Sequence, residues 1–279
     1  MASKQPKLLI RLRLHDGVNE IVGSDSDLME YLRFGVIRLR EGEEQRIGVK
    51  EEEAALVLLT GTATVKVDRM KYEGIGGRLD VFSGNAATVY LPCHHEATIV
   101  CAGAGPLTVA VCRAPSTLRR APALIRPEDV RMKTVGRANW RRTVRDIIDY
   151  TFEAQHLVLG ETVNPPGNWS SSPPHKHEVD NPPEEVKMEE IYFFQIKPEQ
   201  GFGFQRIYTD DRSIDVSYAV EHNDTVLLPK GYHPVAAAPG YQLYYLWFMA
   251  GPTSRVLRPK DDPAHTWLKW VEPVVDGLR

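Results

Sequence analysis

The run Glu189-Glu-Ile-Tyr-Phe-Phe, and the later run Val226-Leu-Leu-Pro-Lys-Gly-Tyr-His-Pro, decide how this sequence is read. The first is an acidic pair opening an apolar strand. The second is an apolar strand ending in a proline turn and His233. The same order occurs earlier, as Glu51-Glu-Glu-Ala-Ala-Leu-Val-Leu-Leu followed by Val89-Tyr-Leu-Pro-Cys-His-His-Glu-Ala. Glu190 precedes His233 by 43 positions, and Glu53 precedes His95 by 42. Two matches in one order at nearly one spacing predict an internal duplication. The joint is expected in residues 114–137, where Pro115, Pro122 and Pro127 interrupt regular structure. The expected units are residues 1–125, without a metal site, and residues 126–279, which carry one.

Outward from these runs, the chain reads as many short strands. Ala63–Val67, Ala87–Leu91, Leu107–Cys112 and Tyr241–Met249 are β-branched or aromatic and bounded by turn formers. The 21 glycines and 20 prolines are scattered rather than gathered in a linker, as tight turns between strands require. This predicts an all-β sandwich or barrel with few short helices. The best helix candidates are Asp25–Leu32 and Trp140–Tyr150, the latter placing Val144, Ile147 and Ile148 on one side.

Composition narrows the function. The 279 residues are 42% hydrophobic and 25% charged, and 34 basic against 37 acidic side chains leave a net charge of −3. That excludes the basic footprint of a nucleic-acid binder. No apolar stretch is long enough for a membrane-spanning helix, and the N-terminal MASKQPKLLIRLRL lacks a secretory signal's apolar core. Cys93, Cys101 and Cys112 form no CxxC pair and read as buried free thiols. A cytoplasmic protein is expected, with no membrane or nucleic-acid partner and with homo-oligomerisation open.

The chemical signal is Pro173-Pro-His175-Lys-His177-Glu178. Histidines at i and i+2 share one face of a strand, so both imidazoles can approach one ion. Glu190 and His233 complete a set of three imidazoles and one carboxylate, which suits one divalent transition metal such as Zn, Mn, Fe, Co or Ni. Glu189 rivals Glu190, because a slip of one residue turns a side chain to the other face. Glu178 is either a proton shuttle or a group supporting the ligands, and His222 reads as an exposed turn residue. The first copy has no HxH pair and reads as a metal-free scaffold.

These residues resemble the cupins, whose metal comes from an HxH…E motif and a later histidine. More closely, the chain resembles the two-cupin 5-deoxy-glucuronate isomerase family of bacterial myo-inositol catabolism. The resemblance is carried by Gly167-Asn-Trp-Ser-Ser-Ser-Pro-Pro-His-Lys-His-Glu, Gly201-Phe-Gly-Phe-Gln-Arg-Ile-Tyr-Thr, Pro229-Lys-Gly-Tyr-His-Pro-Val-Ala-Ala-Ala-Pro-Gly-Tyr and Tyr244-Tyr-Leu-Trp-Phe-Met-Ala-Gly-Pro. The tail Asp262-Pro-Ala-His-Thr-Trp also fits. The resemblance implies two tandem cupin barrels of the double-stranded β-helix, or jelly-roll, type. It places the ligands on His175, His177, Glu190 and His233, with zinc first among the metals. It implies an aldose–ketose isomerisation of a small sugar acid, 5-deoxy-D-glucuronate to 5-dehydro-2-deoxy-D-gluconate.

Such a reaction needs a group to carry a proton between adjacent carbons. His156, Glu178, Lys230 and Tyr245 are the candidates. The substrate carboxylate calls for a cation, and Arg206, Arg212 and Lys230 are candidates for it, with Arg206 able to offer a bidentate fork. Tyr192, Trp169, Tyr244 and Trp247 can wall a sugar pocket. A metal-dependent cupin dioxygenase and a non-catalytic carbohydrate-binding bicupin stand as alternatives.

Overall fold

The computed structural model describes residues 5–277. Nearly all regular structure in it is antiparallel strand, and the chain folds as two barrels of the cupin type. One large sheet runs Ala123–Ile125, Thr88–Leu91, Glu52–Thr60, Leu107–Pro115, Arg33–Leu39, Gly17–Val22. Its counterpart runs Leu9–Ile10, Thr225–Leu228, Glu189–Lys197, Gln242–Ala250, Val158–Asn164, Arg142–Ile148, Arg131–Val135. A four-stranded sheet closes each barrel: Glu44–Val49, His95–Cys101, Thr62–Val67, Met70–Gly76 for the first, and Trp169–Ser170, Val235–Ala237, Gly203–Tyr208, Asp215–Val220 for the second.

Alternation along Glu52–Thr60 shows how one strand serves two cores. Ala54, Leu56 and Leu58 point into the first barrel with Ile37, Val65, Ile99 and Val109. Ala55, Val57 and Leu59 point the other way, into a larger cluster shared with the second half. This period of two turns successive side chains to opposite faces. Between the two large sheets, Phe34 packs on Phe193 and Phe248 with ring centroids 5.4 and 5.3 Å apart. Each such buried ring contributes about 1.5–3 kcal/mol, so the seam is a core in its own right.

The pairing register corrects the alignment of the two copies. Glu53 lies opposite Ala114 and Glu189 opposite Ala250, while Ala54 lies opposite Leu91 and Glu190 opposite Leu228. Glu53 therefore matches Glu189, and Ala54 occupies the place of Glu190. The Glu53 and Glu189 carboxylates do matching work across the seam. Glu189 accepts the backbone N–H groups of Glu30, Tyr31 and Leu32 at 2.8, 2.6 and 2.5 Å. Glu53 accepts those of Gln155, His156 and Leu157 at 2.8, 2.7 and 2.6 Å, and the Tyr90 hydroxyl at 2.5 Å.

One strand also crosses, and another closes its own half. Leu9–Ile10 pairs with Thr225–Val226 at the edge of the second barrel's sheet, and Ala123–Ile125, within the predicted joint, pairs with Thr88–Tyr90 of the first. A further buried cluster crosses the seam: Glu161 accepts from Arg78 at 2.6 Å, Arg145 at 3.3 Å and the Tyr244 hydroxyl at 2.9 Å.

Both predicted helices are absent. Residues Ala138–Trp140 form one 3₁₀ turn and Arg142–Ile148 is a strand, paired on both sides. A register shift between Asp146 and Ile148 buries Ile147 and Ile148 together, which mimics helical spacing. In Asp25–Leu32 the Ser26 hydroxyl accepts from Leu28 and Met29 N–H, and Glu189 takes the next three. Those donors are satisfied without a helical ladder. The helix that does form, Leu268–Gly277, was not foreseen and contains Pro273. The three cysteines are buried and free. Among the described residues no helix is long and apolar enough to cross a membrane.

Glu189→Ala removes the acceptor of three backbone N–H groups, that of Leu32 buried, and is expected to cost roughly 2 kcal/mol of stability. Urea denaturation checks this, and Glu53→Ala should lose at least as much because Glu53 also accepts the Tyr90 hydroxyl.

Candidate metal centre

The centre is built where the HxH segment meets two strands of the second barrel. Glu190 is the inward residue of the strand end whose outward residue is Glu189, so Tyr192 and Phe194 share its face. His175–Lys176 is a short strand paired with Lys260–Asp261, and His177 follows it. Gly231 turns the chain into His233 at φ +94°, where a Cβ would stand 2.8 Å from the Tyr208 carbonyl oxygen. Glycine meets both demands there.

His177, Glu190 and His233 are buried, and their ligand atoms all lie within 4.8 Å of one another. Glu190 Oε2 is 3.2 Å from His177 Nε2 and 3.3 Å from His233 Nε2. The Nδ1 atoms face backbone carbonyls, of Met188 at 2.7 Å and of Gly231 at 2.9 Å. Each Nδ1 therefore donates its proton outward, and each Nε2 is left to the centre. The His175 ring adjoins the group, 4.9 Å from the His233 ring and 6.3 Å from that of His177.

Electrostatics suit a cation. Burial pulls the proton affinities of His175 and His233 down to about 3, so both imidazoles are neutral. For His177 burial acts in the same direction, but the bond to Glu190 outweighs it and the net shift is upward. His233 Nε2 is buried with no hydrogen-bond partner among the described residues. A buried acceptor left unsatisfied is costly, and a bound ion removes that cost. Neutral nitrogens and one carboxylate form the donor set of a catalytic transition-metal site.

Lys176, between the histidines, points to the opposite face. It is 4% exposed at its side chain and lies 2.5 Å from both Glu178 and Asp210. Glu178 also accepts the Gly231 N–H at 2.8 Å, and Asp210 accepts the Tyr232 hydroxyl at 2.9 Å. These bonds tie the HxH segment to the turn that delivers His233. Gln205 supports the same turn by donating to the His233 carbonyl at 2.8 Å. Neither Lys176 nor Gln205 was singled out from the sequence. The signal was there for Lys176, since alternation puts the middle residue of HxH on the ligands' far side.

A model of the KduI/IolB family matches residues 9–268. This chain belongs to the KduI/IolB family. Among its relatives are the 5-deoxy-glucuronate isomerases of Geobacillus kaustophilus, 43% identical over 240 residues and 86% of each chain, and of Bacillus subtilis strain 168. The latter is 40% identical over 253 residues, 90% of this chain and 92% of the relative. The crystal structure of an IolB-like protein from Salmonella typhimurium LT2 superposes with a TM-score of 0.90 at 37% identity, covering 95% of this chain and 100% of that one. An oxalate decarboxylase from Lactobacillus farciminis shares the fold alone, at TM-score 0.66 and 11% identity over 91% of this chain and 88% of its own.

In this KduI/IolB member the candidate residues divide. Tyr192 and Tyr245 stack beside the centre with centroids 4.4 Å apart, Tyr192 lies 5.9 Å from the His233 ring, and the Tyr245 hydroxyl donates to Ser170 at 2.9 Å. Glu178 serves the supporting role just described. The structure does not bring the remaining candidates to the centre. Arg206 alternates with buried Gln205 and Ile207, so it faces outward and forks onto Asp215. Arg212 is exposed and also faces Asp215. Lys230 and Trp169 are exposed, and Tyr244 bonds Glu161 in the seam. His156 sits in the seam too, its Nδ1 2.9 Å from the Gly251 carbonyl oxygen and its ring against Tyr31. Each of these had a suitable side chain on the wrong face of its strand or in the wrong layer.

Glu190→Gln removes the only carboxylate of the group, and His177→Ala one imidazole. Either should reduce bound transition metal from about one equivalent per chain to under about a tenth, read by plasma mass spectrometry of dialysed protein.

Proposed function

We propose that the chain is an aldose–ketose isomerase that converts 5-deoxy-D-glucuronate to 5-dehydro-2-deoxy-D-gluconate in myo-inositol catabolism. It holds one divalent transition metal, zinc foremost, on His175, His177, Glu190 and His233. The observation that carries this is the joint one of a buried His/Glu/His group and family relatives of that name matching across most of both chains. When bound, the metal supplies a Lewis acid for the carbonyl and neighbouring hydroxyl oxygens of the substrate.

The remaining work falls to the chain's own groups. The reaction is internally balanced: a hydrogen leaves the carbon bearing the hydroxyl and one arrives at the former aldehyde carbon, the hydroxyl proton is lost and one is gained by the former aldehyde oxygen, and nothing is oxidised overall. Burial first, with nearby Glu190, holds the Tyr192 hydroxyl well above its ordinary proton affinity, and burial raises that of Tyr245. Both phenols stay protonated, so they act as hydrogen-bond donors rather than as bases, Tyr245 exchanging its bond to Ser170 for one to a substrate oxygen. Buried aromatic walls keep water from the reacting carbons.

The test is incubation of metal-loaded protein with 5-deoxy-D-glucuronate, followed by NMR. The ketose is expected without oxygen uptake, and no conversion with Zn, Mn, Fe or Co would overturn the reading. Tyr245→Phe should lower kcat roughly 10²-fold. His94→Ala, in the exposed turn of the first barrel, should leave turnover within about twofold of the parent.

A further inference from the structure

An acidic sugar requires a cation in the pocket, and the arginines suggested by the sequence point elsewhere. Pairing register identifies another. Arg145 faces the seam, where it bonds Glu161 and the carbonyls of Val81 and Gly84. Alternation therefore turns Val144 and Arg142 to the opposite face, into the second barrel. Val144 lies opposite Thr162, and Thr162 opposite Tyr245, whose ring stacks on Tyr192 beside the metal ligands. Arg142 is two residues along that same inner face.

We propose that Arg142 binds the substrate carboxylate and forms the cationic end of the pocket whose other end is the His175, His177, Glu190 and His233 group. This rests on the sugar-acid isomerase reading given above. Arg142 is half-buried, and among the described residues its one hydrogen bond is from Nη1 to the Trp140 carbonyl at 3.3 Å. Among the described residues no carboxylate pairs with it, in contrast to Lys176 with Glu178 and Asp210, Lys269 with Asp261, and Arg206 with Asp215. Its guanidinium rests against Gly136, where a Cβ would come within 2.9 Å of Nη1 and 2.2 Å of the Trp140 oxygen. A planar fork left unpaired at a pocket wall matches a carboxylate in two-point geometry.

Two further observations place it in the pocket. After burial, which raises the Tyr245 hydroxyl, the Arg142 charge is the next influence and draws it down. Asn164, two residues from Thr162 on the inner face, keeps its Oδ1 buried without a partner while its Nδ2 holds Ser170. That oxygen is an acceptor for a sugar hydroxyl between the two ends.

The test uses metal-loaded wild type, Arg142→Gln and Arg142→Lys. Calorimetric binding of D-glucuronate and of its neutral amide is measured, then KM and kcat with 5-deoxy-D-glucuronate. The wild type should prefer acid over amide by roughly 10- to 100-fold. R142Q should bind both at the amide's level, and R142K should fall between, with melting temperature and metal content held. R142Q should raise KM by the same factor and change kcat by less than about threefold. A wild type indifferent to acid and amide, or an R142Q that keeps the preference, would overturn the assignment. Preference lost in R142Q while the wild type fails to isomerise would sustain Arg142 and sink the isomerase reading. Turnover with preference intact in R142Q would do the reverse.

Discussion

Two adjacent carboxylates on one strand, Glu189 and Glu190, set the terms for everything else. A strand turns neighbours to opposite faces, so one acid must leave the barrel when the other enters it. Glu189 leaves, and three backbone N–H groups of the first half compensate its burial. Glu190 enters and meets two imidazoles. A slip of one residue would put an uncompensated charge into the seam and deprive the histidines of theirs. The metal group and the joining of the halves are thus fixed by one choice of register.

The centre's precision comes from groups that never face it. Buried Lys176 bridges half-buried Glu178 and exposed Asp210 behind the ligands. Removing both acids would leave the Lys176 ammonium buried without a partner, which costs more than the pairs contribute. The arrangement holds the HxH segment and the Gly231–His233 turn to one spacing, as ligands from two separate loops require.

Much of this was legible in the residues, and the gaps have physical causes. The inward set Glu190, Tyr192 and Phe194 followed from alternation, and the HxH pair from its spacing. The strand Arg142–Ile148 was misread because a bulge buries Ile147 and Ile148 together, giving apolar positions that fit a helix equally well. Asp25–Leu32 misled because the acceptor for its N–H groups lies more than 150 residues away. Arg206 and Arg212 had the right charge, but which face a side chain takes depends on pairing that no local window contains. The repeat itself was visible, yet its register was off by one, since Glu53 answers Glu189 and the partner of Glu190 is Ala54.

The edge strand that the first half lends to the second carries a consequence for how such a chain can change over generations. Leu9–Ile10 completes the sheet of the later half, and Ala123–Ile125 that of the earlier one. Cutting the gene at its midpoint would leave Ala123–Ile125 with the first piece, but the second would lose Leu9–Ile10 and expose a row of unsatisfied peptide groups along Thr225–Leu228. The later half cannot be traded for a foreign barrel unless the arm that borders it, Leu9–Ile10, comes too. What began as two copies has become heritable only as one, free to diverge in chemistry, as Ala54 and Glu190 have done, but not to part.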